Sequence, residues 1–136
     1  MTDPDALLRI LLLRDTNLVA LAGARIYIAT DPPAGYEPNL NAAKPTTTGP
    51  AVLMTNRGGP PNVTSMLLNL TYQGRCYAAT EPVARDLDGR LFTALHDKRY
   101  GRIRVARCNV TGQHTQSPET GWHFSLSTWQ LTVVIA

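Results

Sequence analysis

Thr64-Ser65-Met66-Leu67-Leu68-Asn69-Leu70-Thr71-Tyr72-Gln73-Gly74-Arg75-Cys76-Tyr77 is the longest strand candidate in the chain. Met66, Leu68, Leu70 and Tyr72 fall on one parity; Asn69, Thr71, Gln73 and Arg75 fall on the other. A strand over Thr64–Tyr77 therefore buries one face and leaves the other wet. Immediately after it, Thr80-Glu81-Pro82 reads as a helix start. Val83, Leu87, Leu91, Ala94 and Leu95 then recur at helical spacing, predicting a helix that ends near Asp97, before Gly101. Glu81 and Arg85 stand four apart on it and can pair at the surface.

Working outward towards the start, Thr2-Asp3-Pro4-Asp5 has the composition of a helix N-terminus. Leu7, Leu8, Leu11 and Leu12 continue it to about Arg14. Ile10 and Leu13 widen its apolar surface, so it should be buried on more than one side, by its own core or by a neighbouring subunit. Asp15-Thr16 offers a second cap, and Gly23 ends a short second helix. Arg25–Ala29 reads as a short strand. Residues 30–50, rich in Pro, Gly, Asn and Thr, read as a long loop of the kind that is usually functional or mobile. Ala51–Arg57 is the next strand, turned by Gly58-Gly59-Pro60-Pro61.

Towards the end, Arg102–Val110 reads as a strand with a bulge near Ala106-Arg107. That bulge is inferred because Ile103 and Val105 share one parity, and Cys108 and Val110 the other. Gly112–Thr120 reads as a polar loop, giving a second long loop at about 112–121. Trp122, Phe124 and Leu126 alternate in one phase, then Trp129, Leu131, Val133 and Ile135 in the opposite one. A second bulge at Ser127-Thr128 would put both sets on one face. The result is a single α+β domain over residues 1–136, with a mainly antiparallel sheet packed against two principal helices.

Composition narrows the function. Leu, Ile, Val and Phe make up 32 of the 136 residues, enough for a core without metal or disulfides. The net charge of +3 is modest, and Arg supplies 11 of the 13 cationic residues. Arginine suits bidentate contacts to carboxylate or phosphate. Cys76 and Cys108 lack a CxxC spacing and read as free thiols. No secretion signal is evident, and Leu7–Leu13, broken by Arg9, is too short to span a membrane.

No GxSxG, GxxxxGK, HExxH or EF-hand pattern is present. His96, His114 and His123 lie far apart, so no metal ligands, catalytic residues or cofactor are expected. Asp86 and Asp88 point to different sides of their helix and read as solvated charges. Trp122 and Trp129 read as core. Gly58-Gly59-Pro60-Pro61 cannot cradle a phosphate, because prolines lack the amide donor. The densest charge is Lys98–Arg107. Arg102 and Arg104 should share the strand face opposite Ile103 and Val105, where they could touch phosphates, meet a protein partner or simply face water.

One resemblance goes further. The Leu-rich first helix, Asp15-x-x-Leu18-x-x-Leu21, Gly23-x-Arg25-Ile26-Tyr27 and the proline-rich stretch after it resemble a known family. So do the long strand feeding the helix at Thr80–His96 and the closing strand with Trp129-Gln130-Leu131. Together, from about residue 5 to 136, they look like the tail terminator, or tail completion, proteins of long-tailed bacteriophages. The resemblance implies a non-enzymatic virion protein of the tail and neck, made in the host cytoplasm. It would assemble with itself as a ring, commonly a hexamer. The ring would cap the tail tube protein, stop tube polymerisation and join the head–tail connector or neck protein. DNA would pass through its lumen without sequence-specific binding, and no membrane is involved. Arg102, Arg104, Arg107, Arg75 and Lys44, with the 30–50 loop, are the candidate contact residues. The alternatives are a small basic nucleic-acid-binding domain using the Arg-rich strand 99–107, or another neck or tail-tube component.

Overall fold

The computed structural model describes residues 4–30, 32–41, 43–44, 46–58, 61–62, 67–118 and 120–134. Among these described residues three helices and six strands follow in the order α1 (Pro4–Leu13), α2 (Thr16–Ala22), β1 (Ile26–Ile28), β2 (Ala51–Asn56), β3 (Pro61–Asn62), β4 (Leu67–Ala78), α3 (Glu81–Leu95), β5 (Ile103–Gln116) and β6 (His123–Val134). The chain is α+β. The expected capping by Thr2 and Asp3, the positions of Met66 and Ile135, and the turn at Gly59-Pro60 lie outside the described residues.

The sheet runs β1-β2-β4-β6-β5, with β3 added on β4. It is mixed: β1 and β2 pair in parallel and every other pair is antiparallel. The parallel pair needs a crossover, and the loop after β1 supplies it with no helix among its described residues. Among the described residues the two longer helices, α1 and α3, are accompanied by the short α2 expected before Gly23, so three helices line the core. α2 is well specified: the Asp15 carboxylate accepts from the Leu18 N–H at 2.9 Å, and Gly23 closes it at φ 58°.

The alternation along β4 holds. Leu70, Tyr72, Cys76 and Ala78 are buried. They join Val52, Met54, Trp129, Leu131 and Val133 in one core with Leu8 and Leu12 of α1, Leu18 of α2, and Leu87, Leu91 and Leu95 of α3. α3 crosses β4, β5 and β6, while α1 lies against β1. The opposite residues of β4, from Asn69 to Tyr77, are only half-buried, and among the described residues the helices pack into the core on the other side. Tyr72 also anchors α1: its hydroxyl donates to the Asp5 carboxylate, as does the Asn56 amide at 3.3 Å.

Three sequence expectations fail for identifiable reasons. β6 pairs with β4 without a slip from Leu67↔Val134 to Ala78↔His123, so there is no bulge at Ser127-Thr128. The change of parity is real. Ser125 and Ser127 are buried on the helix side, where space is tight: a side chain on neighbouring Gly74 would already lie 2.6 Å from Ser127 Oγ and 3.5 Å from Leu91. Phe124 and Leu126 take the other face. In β5 the register shifts lie between Ile103 and Val105, Cys108 and Val110, and Val110 and Gln113, while Ala106 and Arg107 pair regularly. Ile103 and Val105 therefore do not share a face; Ala106 takes the core position beside Leu131. Finally, Gly112–Gln116 is strand, paired with β6 through Gln116↔His123, leaving only a short turn where a second long loop was expected.

Candidate interaction surface

The loop between β1 and β2 is folded. Tyr36 is buried, and its hydroxyl donates to the Gly49 carbonyl at 2.7 Å. Thr48 Oγ1 donates to the Lys44 carbonyl at 2.6 Å and accepts from the Asn41 N–H at 2.9 Å. Arg25 ties the loop to α2, donating to the Pro50 carbonyl at 2.9 Å and to the Leu21 carbonyl at 3.3 Å. Burial, with smaller contributions from Tyr27 and Tyr77 and opposed by Arg25, pushes the Tyr36 phenol well above its ordinary pKa.

Tyr36 inserts into an aromatic cluster with Tyr27, Tyr77 and Trp122, its ring 5.5 Å from Trp122, and Phe124 extends the cluster from Tyr77 at 5.6 Å. Edge-to-face rings of this kind add about 0.5–1.5 kcal/mol per pair beyond their area. Trp129 is core as expected. Trp122 is half-buried and belongs to this cluster on the helix-free side. Sequence reading missed the cluster because its members come from the loop and three other stretches, Tyr27, Tyr77 and Trp122–Phe124.

Beyond the cluster, the helix-free face continues with Asn69, Thr71, Gln73, Thr128, Gln130 and Thr132, joined by Leu126 and Val134. Thr132 Oγ1 donates to Asn69 Oδ1 at 3.1 Å. This is a band of half-buried polar and aliphatic groups, with Gln130 exposed.

The five basic residues do not converge. Arg75 lies on the band, its guanidinium 5.6 Å from the centre of the Phe124 ring. Arg107 is on the same face, across from Gln130, and exposed, with a long 3.9 Å contact to Asp97. Arg104 is the extra residue at the first register shift of β5 and is exposed. Arg102 precedes the strand and is half-buried, and Lys44 is exposed on the distant loop. Arg75 and Arg107 thus lie on the band, Arg102 meets its end where its carbonyl accepts from the Val134 N–H at 2.9 Å, Arg104 is exposed at the adjoining register shift, and Lys44 stands apart.

β5 forms one edge of the sheet, where unpaired backbone invites another strand. Part of that edge is already occupied. The Ala106 carbonyl accepts from the Asp97 N–H at 2.7 Å, and the Cys108 N–H donates to His96 Nδ1 at 3.1 Å. The Gly112 N–H donates to Asp88 Oδ2 at 3.1 Å. Asp88 is therefore buried against β5, 4 % exposed, and is not the solvated charge expected; Asp86 is exposed and pairs with Arg90 at 3.3 Å. Glu81 and Arg85 pair at 2.7 Å, as their spacing predicts.

His114 and His123, distant in sequence, stand side by side with ring nitrogens 3.2 Å apart, because β5 extends past Gly112 and forms a hairpin with β6. Reading Gly112–Gln116 as strand is what would have revealed them. His96 lies elsewhere, stacked on Phe92. Neither Cys76, which is buried, nor Cys108, which is half-buried, is in a disulfide. Burial, reinforced by the Asp88 charge, pushes the Cys76 thiol up, the opposite of what a reactive thiolate needs. Among the described residues no three metal-ligating side chains gather as a ready-made site, and no helix is long and apolar enough to cross a membrane. An apolar cavity of about 430 Å³ lies beside the loop, lined by Leu21, Arg25, Pro38, Leu40, Pro50 and Val83. Leu40 on its rim is 67 % exposed.

The sequence matches no protein-family model, and no curated protein matches it significantly.

Proposed function

We propose that this chain is a structural virion protein of the tail-terminator kind, acting as one subunit of a ring that caps the tail tube and joins it to the neck. The family resemblance of the sequence is the starting point. One structural observation carries the reading: among the described residues the helices cover one face of the sheet, and the other face is a band with the exposed Arg107 on it and the exposed Arg104 at the adjoining register shift. Such a band has the character of a surface that works by complementarity with other subunits. The bonds that occupy parts of the β5 edge shift the expected contact from backbone pairing to side chains.

On this reading the chain needs no cofactor and performs no chemistry. Its partners are further copies of itself, the tube protein and the neck protein, with DNA crossing the lumen unread. Arg104 and Arg107 are the contact arginines, and Arg102 has a supporting place. The test replaces both exposed residues, Arg104→Glu with Arg107→Glu, and scores capping of purified tail tubes by electron microscopy. Capping should be lost while circular dichroism and the melting temperature stay unchanged. Normal capping by the folded variant would overturn the arginine assignment. Failure of the unaltered protein to recognise tubes, together with salt-dependent binding to short DNA, would replace the reading with that of a basic nucleic-acid-binding domain.

A further inference from the structure

We propose that His114 and His123 form a two-histidine chelating site for a divalent transition-metal ion, with Glu81 as the carboxylate that closes it. His114 lies on β5, His123 opens β6, and Glu81 opens α3, so three elements meet at one end of the sheet. His114 Nε2 and His123 Nδ1 are 3.2 Å apart and the ring centres 5.2 Å. An ion held about 2.0–2.1 Å from two imidazole nitrogens at tetrahedral angles requires nitrogens about 3.3 Å apart. The two donors already have that separation. Imidazole favours zinc, copper or nickel over calcium or magnesium.

Two further observations point to a ligand. Glu81 Oε2 is 3.9 Å from His114 Nε2, while Oε1 of the same carboxylate holds Arg85, and the Glu81 side chain is half-exposed. His114 Nδ1 and the hydroxyl of Ser125, its direct cross-strand neighbour, are both buried without a hydrogen-bond partner. In the metal-free pair an N–H between the two rings satisfies one of these nitrogens. With an ion on Nε2, the His114 proton resides on Nδ1, which is buried and has no hydrogen-bond partner in the present side-chain arrangement. Water would complete the coordination. The bound ion would clip the tip of the β5–β6 hairpin to the start of α3.

The experiment titrates zinc chloride into the full, untagged chain and follows the histidine ring proton signals by NMR and the melting temperature. Zinc should shift or broaden the signals of His114 and His123, leave His96 in place, and raise the melting temperature reversibly on adding EDTA. His123→Gln, at a half-exposed position that should fold, should weaken zinc binding at least about tenfold, and Glu81→Gln should weaken it less. Unmoved His114 and His123 signals at millimolar zinc, or equal binding by the His123→Gln variant, would overturn the proposal. Unchanged binding by Glu81→Gln would remove the carboxylate from it. None of these outcomes depends on the ring-forming role.

Discussion

Replacing Gly74 by Ala tests the close packing that sets the helix face of the sheet. A Cβ there would lie 2.6 Å from Ser127 Oγ and 3.1 Å from Met54 Sδ. Ser127 is not free to turn away, because its Oγ accepts the buried Trp129 Nε1–H at 2.8 Å. If Ser127 holds its place, overpacking costs about 1–3 kcal/mol. If it rotates, a buried indole N–H loses its partner, at a similar cost of about 1–3 kcal/mol. Alanine recovers about 0.5–1 kcal/mol of backbone entropy relative to glycine in a strand. The net expectation is a loss of about 1–2 kcal/mol, or about 3–10 °C in melting temperature for a chain of this size. Thermal and urea melts by circular dichroism measure it. Ser127→Ala should itself destabilise by leaving Trp129 unpaired, yet the double variant should cost less than the sum, since the alanine at 127 no longer carries the oxygen that Cβ meets. An unchanged or raised melting temperature for Gly74→Ala, or strictly additive effects, would refute the reasoning.

Other perturbations address the loop and the β5 edge. Tyr36→Phe should cost about 1 kcal/mol and speed hydrogen exchange at the Gly49 amide, which bonds the Glu37 carbonyl. Asp88→Ala removes the buried acceptor of the Gly112 N–H and should cost about 1–3 kcal/mol, with faster exchange at Gly112; Asp88→Asn, which keeps an acceptor oxygen, should cost less. Alkali should weaken the fold in two stages. The Cys76 thiol is held protonated in the folded state, so its stabilising effect is full below its ordinary value of 9.0 and fades as pH rises towards the higher folded value. Cys76→Ala should remove that first decline. Tyr36 behaves the same way above 10.0, so Tyr36→Phe should flatten the slope that begins there; stability curves between pH 8 and 11 that stay flat for the unaltered chain would contradict both.

What was legible in the sequence followed from local chemistry. The alternation through Leu70, Tyr72 and Cys76 fixed β4 and its buried face, and the stripe from Leu87 to Leu95 fixed α3. Asp15 and Gly23 bounded α2, because caps act within one turn. What failed depended on tertiary packing. Gly112, Gln113 and Thr115 are polar because that part of β5 has an exposed outer side, so composition resembled a loop. Phe124 and Leu126 broke the expected parity because the second face has its own aromatic cluster, built with Tyr36 and Tyr77 from far along the chain. Asp88 read as a surface charge because only the turn of β5 against α3 brings the Gly112 N–H to it. The candidate contact residues were read from charge alone. Geometry separates them by placing Arg104 and Arg107 in the open while Arg102 is half-buried.

The proposed ring is tested most directly by the mass of the protein in solution, measured by light scattering for the chain alone and again with purified tail tubes. A closed assembly of about six copies, or a monomer that forms one only at tube ends, is the expected result. A stable monomer that leaves tube ends uncapped would contradict it.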